Sequence, residues 1–482
     1  MSLPIPRRLA RSASALALSA AALSGCVVGP NYQRPSAPVS ATFKEAQGWR
    51  PAQPMDTIDR GAWWSVYSDP VLDSLERRVA ASNQTLAQSE AAYRQAHAAI
   101  LEARSGYFPQ LSASAGATHS QSFSGGNGGG PGGNGGGTNY SASLDGNWAP
   151  DFWGRVRRTV EAARANAQAS AADLASVRLS LQAQLATAYL DLRVVDEESR
   201  VYQATVAGYL RVLQMVQNQY NVGTAARADV ISAQTQLQSA QATLISLAQQ
   251  RALFEHAIAN LVGVPPAELT ISPTSPLAVN IPVAPIDVAS TLLERRPDIA
   301  AAERNMQASN AQVGIAISAY YPNVTLSGSL STAASTLGSL FSASTSFWSV
   351  GAQAADVLLD FGARRSRVQQ ARAAYDQSVA EYRQTVLNAF QGVEDQLASL
   401  RVFEQEAAVR TQQEASARLA EQLALNRYRA GQVDFSAVIT AQQQALSAEL
   451  SSLAVQRSRL EASVTLIQDL GGGWTTADLP KG

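Results

Sequence analysis

The sequence has few of the features that mark a compact soluble enzyme. It contains one cysteine, Cys26, among 482 residues, which excludes an internal disulfide framework. Its 37 basic and 38 acidic residues almost balance, leaving a net charge of -1. No basic surface for a nucleic-acid partner is therefore expected. Beyond the N-terminus there is no apolar run of 18 or more residues, so no transmembrane helix is expected in the mature protein.

Motifs for catalysis and metal binding are missing as well. No nucleophile elbow, Walker loop or zinc-ligand spacing is present. The three histidines, His97, His119 and His256, are far apart. The glycines of segment 124–137 lack the Lys and Ser/Thr of a phosphate-binding loop and predict a solvated loop. We therefore expect no catalytic residue, no metal site, no enzymatic activity and no cofactor beyond a covalent lipid.

Proline is absent from two very long stretches, between Pro150 and Pro265 and again between Gly362 and Asp469. Both stretches are rich in Ala, Gln and Leu, which favour helix. Each contains one turn signal, Tyr220 to Thr224 in the first and Tyr428 to Gly431 in the second. The sequence thus predicts two pairs of long antiparallel helices. The leading helix of each pair would span roughly 100 Å at 1.5 Å per residue, a length suited to a tube across an aqueous compartment.

The two stretches belong to an internal duplication. Tyr107-Phe108-Pro109 is matched by Tyr320-Tyr321-Pro322, and Asp151-Phe152 by Asp360-Phe361. These anchors are not low-complexity residues, so chance similarity between helices does not explain them. We predict a first repeat at 69–263 and a second at 291–472. Each consists of a helix, a β-hairpin and a long helical hairpin, with tips at 221–225 and 429–433.

Apolar and polar residues alternate over four segments, which predicts β-hairpins at about 110–149 and 323–357. Each strand is near the ten-residue length of a transmembrane β-strand, and its polar face is small and uncharged. A soluble hairpin with one buried face is the alternative. Four strands cannot close a barrel, and lipid does not tolerate open sheet edges. The barrel must then be shared between chains: three copies give twelve strands, and two or four copies remain possible.

The N-terminus has the pattern of a lipoprotein signal peptide over residues 1–25. An arginine-rich start and an apolar run lead to Leu23-Ser24-Gly25-Cys26, which resembles a bacterial lipobox with Cys26 as the acylated residue. A free cysteine near an ordinary cleavage site is the alternative. Val27, instead of Asp, implies release to the outer membrane by analogy with other lipoproteins.

Three irregular segments complete the chain: an extended leader at 26–68, a proline-rich linker at 264–290 and a tail at 473–482. We expect all three to attach at the middle of the helical tube, where they would form a belt.

Three motifs together resemble the outer membrane factor family of TolC-like exit ducts. They also indicate its lipoprotein branch, the NodT-type channels of efflux pumps. The motifs are Cys26-Val27-Val28-Gly29-Pro30-Asn31-Tyr32-Gln33-Arg34-Pro35, Trp63-Trp64 with Asp69-Pro70-Val71-Leu72, and Arg295-Arg296-Pro297-Asp298-Ile299 with Ala302-Glu303. The resemblance implies an α+β membrane protein, a homotrimer whose twelve-stranded outer-membrane β-barrel continues into a periplasmic α-barrel. It also implies two partners, a periplasmic adaptor protein and an inner-membrane transporter.

The same resemblance assigns roles to residues at the helical tips. The adaptor would dock on Val222, Gly223, Thr224, Ala430, Gly431 and Gln432. Many members carry an Asp and an Arg, three residues apart, as a gate beyond the second tip. Thr440 and Gln443 replace that pair here, which argues against an ionic gate at those positions. The nearby charged candidates are Arg227, Asp229, Arg427, Arg429 and Asp434, of which Arg227, Asp229 and Asp434 are the ones we select. Each could equally be a solvated surface ion.

These observations predict a passive, gated exit duct for small molecules such as drugs, toxic compounds or metals. One alternative has the same fold but serves type I protein secretion. Another is a lipid-anchored periplasmic coiled-coil scaffold, which would not need alternating strands. An enzyme is the least supported class.

Overall fold

A computed structural model describes residues 27–37, 43–46, 62–121, 137–274, 295–474 and 478–479. The signal peptide, Cys26 and most of the glycine-rich segment lie outside these ranges. The helices are α1 Pro70–Ser82, α2 Gln84–Ser105, α3 Arg155–Asn221, α4 Arg227–Leu261, α5 Pro297–Ser318, α6 Ala363–Arg429 and α7 Phe435–Asp469. The strands are β1 Gln110–Ser120, β2 Gly137–Trp148, β3 Asn323–Ala334 and β4 Ser346–Ala355.

Equivalent helices of the two repeats have equal lengths. Helices α2 and α5 have 22 residues each, α3 and α6 have 67, and α4 and α7 have 35. The predicted duplication and the two long helical hairpins are therefore confirmed. The arms of each hairpin are unequal, because the long helix continues past its partner toward the sheet.

The single helix predicted at the start of the first repeat is in fact two helices, α1 and α2. Asp69 caps α1 by accepting hydrogen bonds from the backbone N–H groups of Val71 and Leu72. The chain then breaks at Asn83, whose backbone is extended. The Asn83 side chain accepts from Leu86 N at 2.9 Å and so caps α2. No glycine or proline marks this break, which is why the sequence pattern predicted a single helix.

The four strands form one antiparallel sheet in the order β1-β2-β3-β4. Residues of β1 and β4 are exposed along their whole length. Within the described residues the outer edges of β1 and β4 have no strand beside them. One chain therefore builds an open sheet and leaves unpaired backbone groups at both edges. No helix in the described part of the chain is both long and apolar enough to cross a membrane.

The helices form a layer organised on α3 and α6. Helix α3 packs against α2 and α5 toward the sheet and against α4 and α7 toward the tips. Helix α6 packs against α5 and α7. The largest apolar cluster surrounds the middle of α3 and includes Leu185, Tyr189 and Leu192, together with Trp63 and Leu72.

A buried charged network holds the linker to this middle region. Asp196 lies 3.2 Å from Arg193 and 2.7 Å from Arg251. Arg193 also donates to the carbonyl of Ser272 at 2.8 Å, and Arg251 donates to that of Ile271. The described start of the linker therefore packs at the middle of the helical section.

Glu76 on α1 is fully buried, and neither of its carboxylate oxygens has a hydrogen-bond partner among the described residues. Burial raises the pKa of Glu76 from 4.5 to about 9. The folded protein therefore keeps this proton at pH 7, whereas the unfolded chain releases it. The contribution of the protonated Glu76 to the free energy of unfolding is fully present below pH 4.5, and it is lost as the pH rises toward 9.

We expect Glu76→Gln to raise the free energy of unfolding by about 3 kcal/mol at pH 7, because the amide needs no proton to stay neutral. Near pH 4.5 the variant and the parent should be equally stable. Unfolding by guanidinium at pH 4.5, 6 and 7.5 measures the difference. A difference that does not grow with pH would show that Glu76 ionises in the folded state.

Candidate functional site

The two helical tips have the same backbone geometry. Gly223 and Gly431 have φ values of 81° and 70°, in the left-handed region that glycine adopts at little cost. After each glycine the chain bonds back to the preceding helix. Thr224 N–H donates to Gln219 O, and Gln432 N–H donates to Arg427 O, both at 2.9 Å. Each tip is thus a glycine-terminated helix end with its last carbonyl groups satisfied.

All six residues predicted to receive an adaptor are exposed at these tips: Val222, Gly223, Thr224, Ala430, Gly431 and Gln432. Val222 is 74% exposed, although it is apolar. A Cβ atom added at Gly223 or Gly431 would meet no other atom within 4 Å. The tips therefore present open backbone and one apolar side chain to the solvent.

A small apolar cluster joins the two hairpins just behind the tips. Its buried members, which we term the tip cluster, are Val212, Val216, Val230, Ala233, Phe435 and Val438. The ring of Tyr428 packs on this cluster, with its centroid 5.3 Å from that of Phe435. Its hydroxyl donates to Gln219 Oε1 at 2.7 Å. Burial, followed by the nearby charge of Asp229, raises the pKa of Tyr428, so the hydroxyl keeps its proton as a donor.

The structure separates the gate candidates into different groups. Gln443 donates to Gln236 Oε1 at 3.0 Å and so links α7 to α4. Thr440 donates to Ser436 O within its own helix.

Arg227 and Asp434 are exposed, and Asp229 accepts from Ala226 N at the start of α4. Within the described residues none of these three charged side chains forms a salt bridge. The contacts between the two hairpins behind the tips are therefore uncharged. Beside the tip cluster, they include two hydrogen-bonded pairs that the sequence did not indicate, Gln443–Gln236 and Tyr428–Gln219.

The start of the leader lies at the opposite end of the molecule from the tips. Val28 N donates to Trp153 O at 3.2 Å. The buried Arg158 side chain donates to Gly29 O at 3.2 Å and to Asn31 Oδ1 at 2.9 Å.

Gly29 packs so closely on α5 that a Cβ atom there would lie 2.5 Å from Gly314 Cα. Val27 adjoins Gly154, which places the start of the leader where the sheet meets the helices. The predicted attachment at the middle of the tube is therefore wrong for residues 27–31. Later parts of the leader do lie nearer the middle. The backbone N–H groups of Lys44 and Glu45 donate to Glu394 of α6, and Trp63 belongs to the apolar cluster around the middle of α3.

Comparison with known proteins identifies the family from both repeats. A family model described as outer membrane efflux protein matches residues 75–264 and 288–472. The chain belongs to the outer membrane efflux protein family. The two matched ranges correspond to the two repeats. The resemblance inferred from the leader and repeat motifs is therefore confirmed.

Several known proteins align with this chain over nearly its whole length and over nearly the whole of their own. The toluene efflux pump outer membrane protein TtgF of Pseudomonas putida is 30% identical, over 95% of this chain and 96% of its own. The pyoverdine export outer membrane protein OpmQ of Pseudomonas aeruginosa is 29% identical, over 94% and 96%. The probable outer membrane lipoprotein SilC of Salmonella typhimurium is 27% identical, over 94% and 96%. The predicted localisation in the outer membrane is confirmed.

Among solved structures, the outer-membrane channel OprN superposes with a TM-score of 0.85 at 29% identity, covering 93% of this chain and 100% of its own. The CmeC outer membrane channel of Campylobacter jejuni superposes with a TM-score of 0.86 at 21% identity and supports the fold alone. The chain is therefore an outer membrane channel protein of the predicted fold class.

Proposed function

We propose that three copies of this chain form the exit duct of a tripartite efflux system in the outer membrane. The observation that carries this function is an open four-stranded sheet joined to helical hairpins whose tips lie at the far end. Free edges at β1 and β4 require partners in lipid, and pairing β4 of one copy with β1 of the next closes a ring. Three copies give the twelve-stranded barrel within the known range of even-numbered barrels.

Lipidation of Cys26 fits the path of the leader. Val27 lies beside Gly154, just below the sheet, at the level where a membrane surface would meet the duct. An acyl chain on the preceding residue can therefore enter the lipid without displacing the leader. A single acyl chain holds a protein only marginally, so the barrel strands supply most of the membrane attachment.

The exposed tips are the proposed docking site of a periplasmic adaptor protein. The adaptor would connect the duct to an inner-membrane transporter, which supplies the energy because the chain itself has no motif for nucleotide binding. The cargo is a small molecule, of the kind named for two relatives: toluene for TtgF and pyoverdine for OpmQ. No nucleic acid, cofactor or catalytic step enters this proposal.

Deletion of the gene in its native host tests this function. Intracellular accumulation of a fluorescent dye, an organic solvent and a heavy-metal cation should rise for at least one compound, and the wild-type gene should restore export. If accumulation of every compound is unchanged while a protein disappears from the medium, the duct serves protein secretion instead. A scaffold without a channel would alter neither measurement.

The two uncharged pairs behind the tips, Gln443–Gln236 and Tyr428–Gln219, are proposed to hold the duct closed at rest. Gln219→Ala combined with Gln443→Ala removes one partner from each pair, and each neutral hydrogen bond contributes about 1 kcal/mol. The tips should therefore separate more often, and single-channel conductance in planar bilayers should increase about twofold or more. Because both pairs are uncharged, the conductance of the parent should change little between pH 5 and pH 8.

Gln217→Ala is the matched control. Gln217 donates to Asn221 Oδ1 within α3 and does not join the two hairpins. The conductance of the Gln217→Ala variant should equal that of the parent. Equal conductance in the double variant and the control would exclude the two pairs as a closure.

A further inference from the structure

A cavity lies where the sheet meets the helices, far from the tips. Its volume is about 760 Å³. It is lined by residues from α5, from the starts of α3, α6 and β3, and from the end of β4. The indole ring of Trp153 stacks on Tyr321 at one wall, with a centroid distance of 4.9 Å and an interplanar angle of 24°. The cavity is large enough for a small aromatic molecule.

Two arginines, Arg155 and Arg367, line the same cavity, and neither side chain forms an ion pair among the described residues. Two carboxylates also line it. Asp151 accepts hydrogen bonds from Val156 N at 3.0 Å and Arg157 N at 2.8 Å, so it is bound to the start of α3. Asp356 pairs with Arg364 at 3.1 Å. The acidic groups are thus already engaged, and the two free guanidinium groups remain for an anion.

The position of the leader shows which face of the helical layer carries this cavity. The leader contacts α5 at Glu303, Asn310 and Gly314. Among the residues of α5 and its C-cap that line the cavity, the exposed Gln312 and Ala319 lie roughly 160° and 140° from Gly314 at about 100° per residue. Ser318, roughly 40° away, is instead buried. Since a lipidated leader must follow the outer surface of the duct, the cavity opens on the inner surface.

The wall beside the cavity is almost uncharged. A neighbouring hollow of about 800 Å³ between α2 and α3 shares Arg155 and Gln312 with it. The rest of this hollow is lined mainly by alanines and by neutral side chains such as Gln95, Thr159 and Asn166. Glu102 is the one acidic residue among its described lining residues. The positive charges of Arg155 and Arg367 are therefore the main fixed charges on this part of the inner surface.

We propose that Arg155 and Arg367 form an anion-binding station on the inner wall of the duct, at the junction of sheet and helices, that favours aromatic organic anions. The guanidinium groups bind a carboxylate or sulfonate, and the Trp153–Tyr321 pair packs against its ring. In a three-fold duct the station repeats three times and places six arginines around one level of the pore. This inference rests on the proposed duct function, because it requires that the inner surface be a pore.

Reversal potentials across a planar bilayer with a potassium chloride gradient test the station. In Arg155→Gln combined with Arg367→Gln, the permeability ratio of chloride to potassium should fall about twofold or more. A second measurement adds 2-naphthoate, which should reduce the current through the parent and have little effect on the double variant. Arg155→Lys combined with Arg367→Lys should retain the permeability ratio.

Arg157→Gln is the matched control, since Arg157 is an exposed arginine of the same helical turn that does not line the cavity. It should behave as the parent. An unchanged ratio in the double variant, or an equal shift in the control, would overturn the station while the duct stands. A trimer without any conductance would contradict the duct itself and the station with it.

Discussion

Substituting valine for both tip glycines is expected to abolish export and to leave the trimer intact. Gly223 and Gly431 have positive φ values, where a β-branched residue costs of the order of 1–3 kcal/mol of local strain. This strain is confined to the tips, because a Cβ atom at either position has open space around it. The folded core should therefore be unaffected, whereas the new side chains occupy the surface on which an adaptor would dock.

Gly208→Val provides the control for the added side chain. Gly208 lies within α3, and a Cβ atom there also has open space around it. Efflux should fall about tenfold or more in the double tip variant, consistent with loss of a central contact in an interface, and remain near the parental level in the control. The intact trimer is verified by its migration on unheated gels. Normal export by the tip variant would show that docking occurs elsewhere.

Among the substitutions proposed for this protein, removal of the Asp196 charge is expected to lower the free energy of unfolding most. Asp196 is almost completely buried between Arg193 and Arg251. Asp196→Asn keeps the shape of the side chain but leaves two largely buried guanidinium groups without their shared anion. Breaking a buried ion pair in this way costs about 3–5 kcal/mol. The linker at Ser272 should detach at the same time, because Arg193 also holds the carbonyl of that residue.

Glu406→Gln is the comparison for Asp196→Asn. Glu406 pairs with Arg410 one helical turn away at 3.0 Å, and both side chains are 36% exposed. Such a pair contributes about 0.5 kcal/mol or less. Chemical unfolding followed by circular dichroism should separate the two variants clearly. Similar losses in both would show that the network around Asp196 is solvated in the assembled protein.

The local patterns of the sequence predict the elements of this fold well. Alternation of apolar and polar residues indicates the strands, long proline-free stretches indicate the helices, and Gly223 and Gly431 mark the tips. Each of these signals depends only on residues close together in the chain. The break at Asn83 was missed because an asparagine can cap a helix or lie within one.

The contacts that give the candidate site its properties are not local and could not be predicted. Tyr428 bonds to a residue 209 positions away, and Gln443 to one 207 positions away. Both pairs depend on the register between two long hairpins, which no turn signal sets. Arg158 contacts a leader about 130 positions earlier, so the sequence alone could not exclude a leader attached at the middle of the tube.

Crosslinking in cells from a photoreactive residue at Val222 tests the central claim most directly, because this side chain is exposed at the tip and contacts the proposed partner first. The proposal predicts capture of the periplasmic adaptor of an efflux pump, identified by mass spectrometry, and no capture from the same probe at Gly208. Capture of a secretion-system adaptor would contradict an efflux duct. Absence of any periplasmic partner, with the protein correctly assembled in the outer membrane, would contradict docking at the tips.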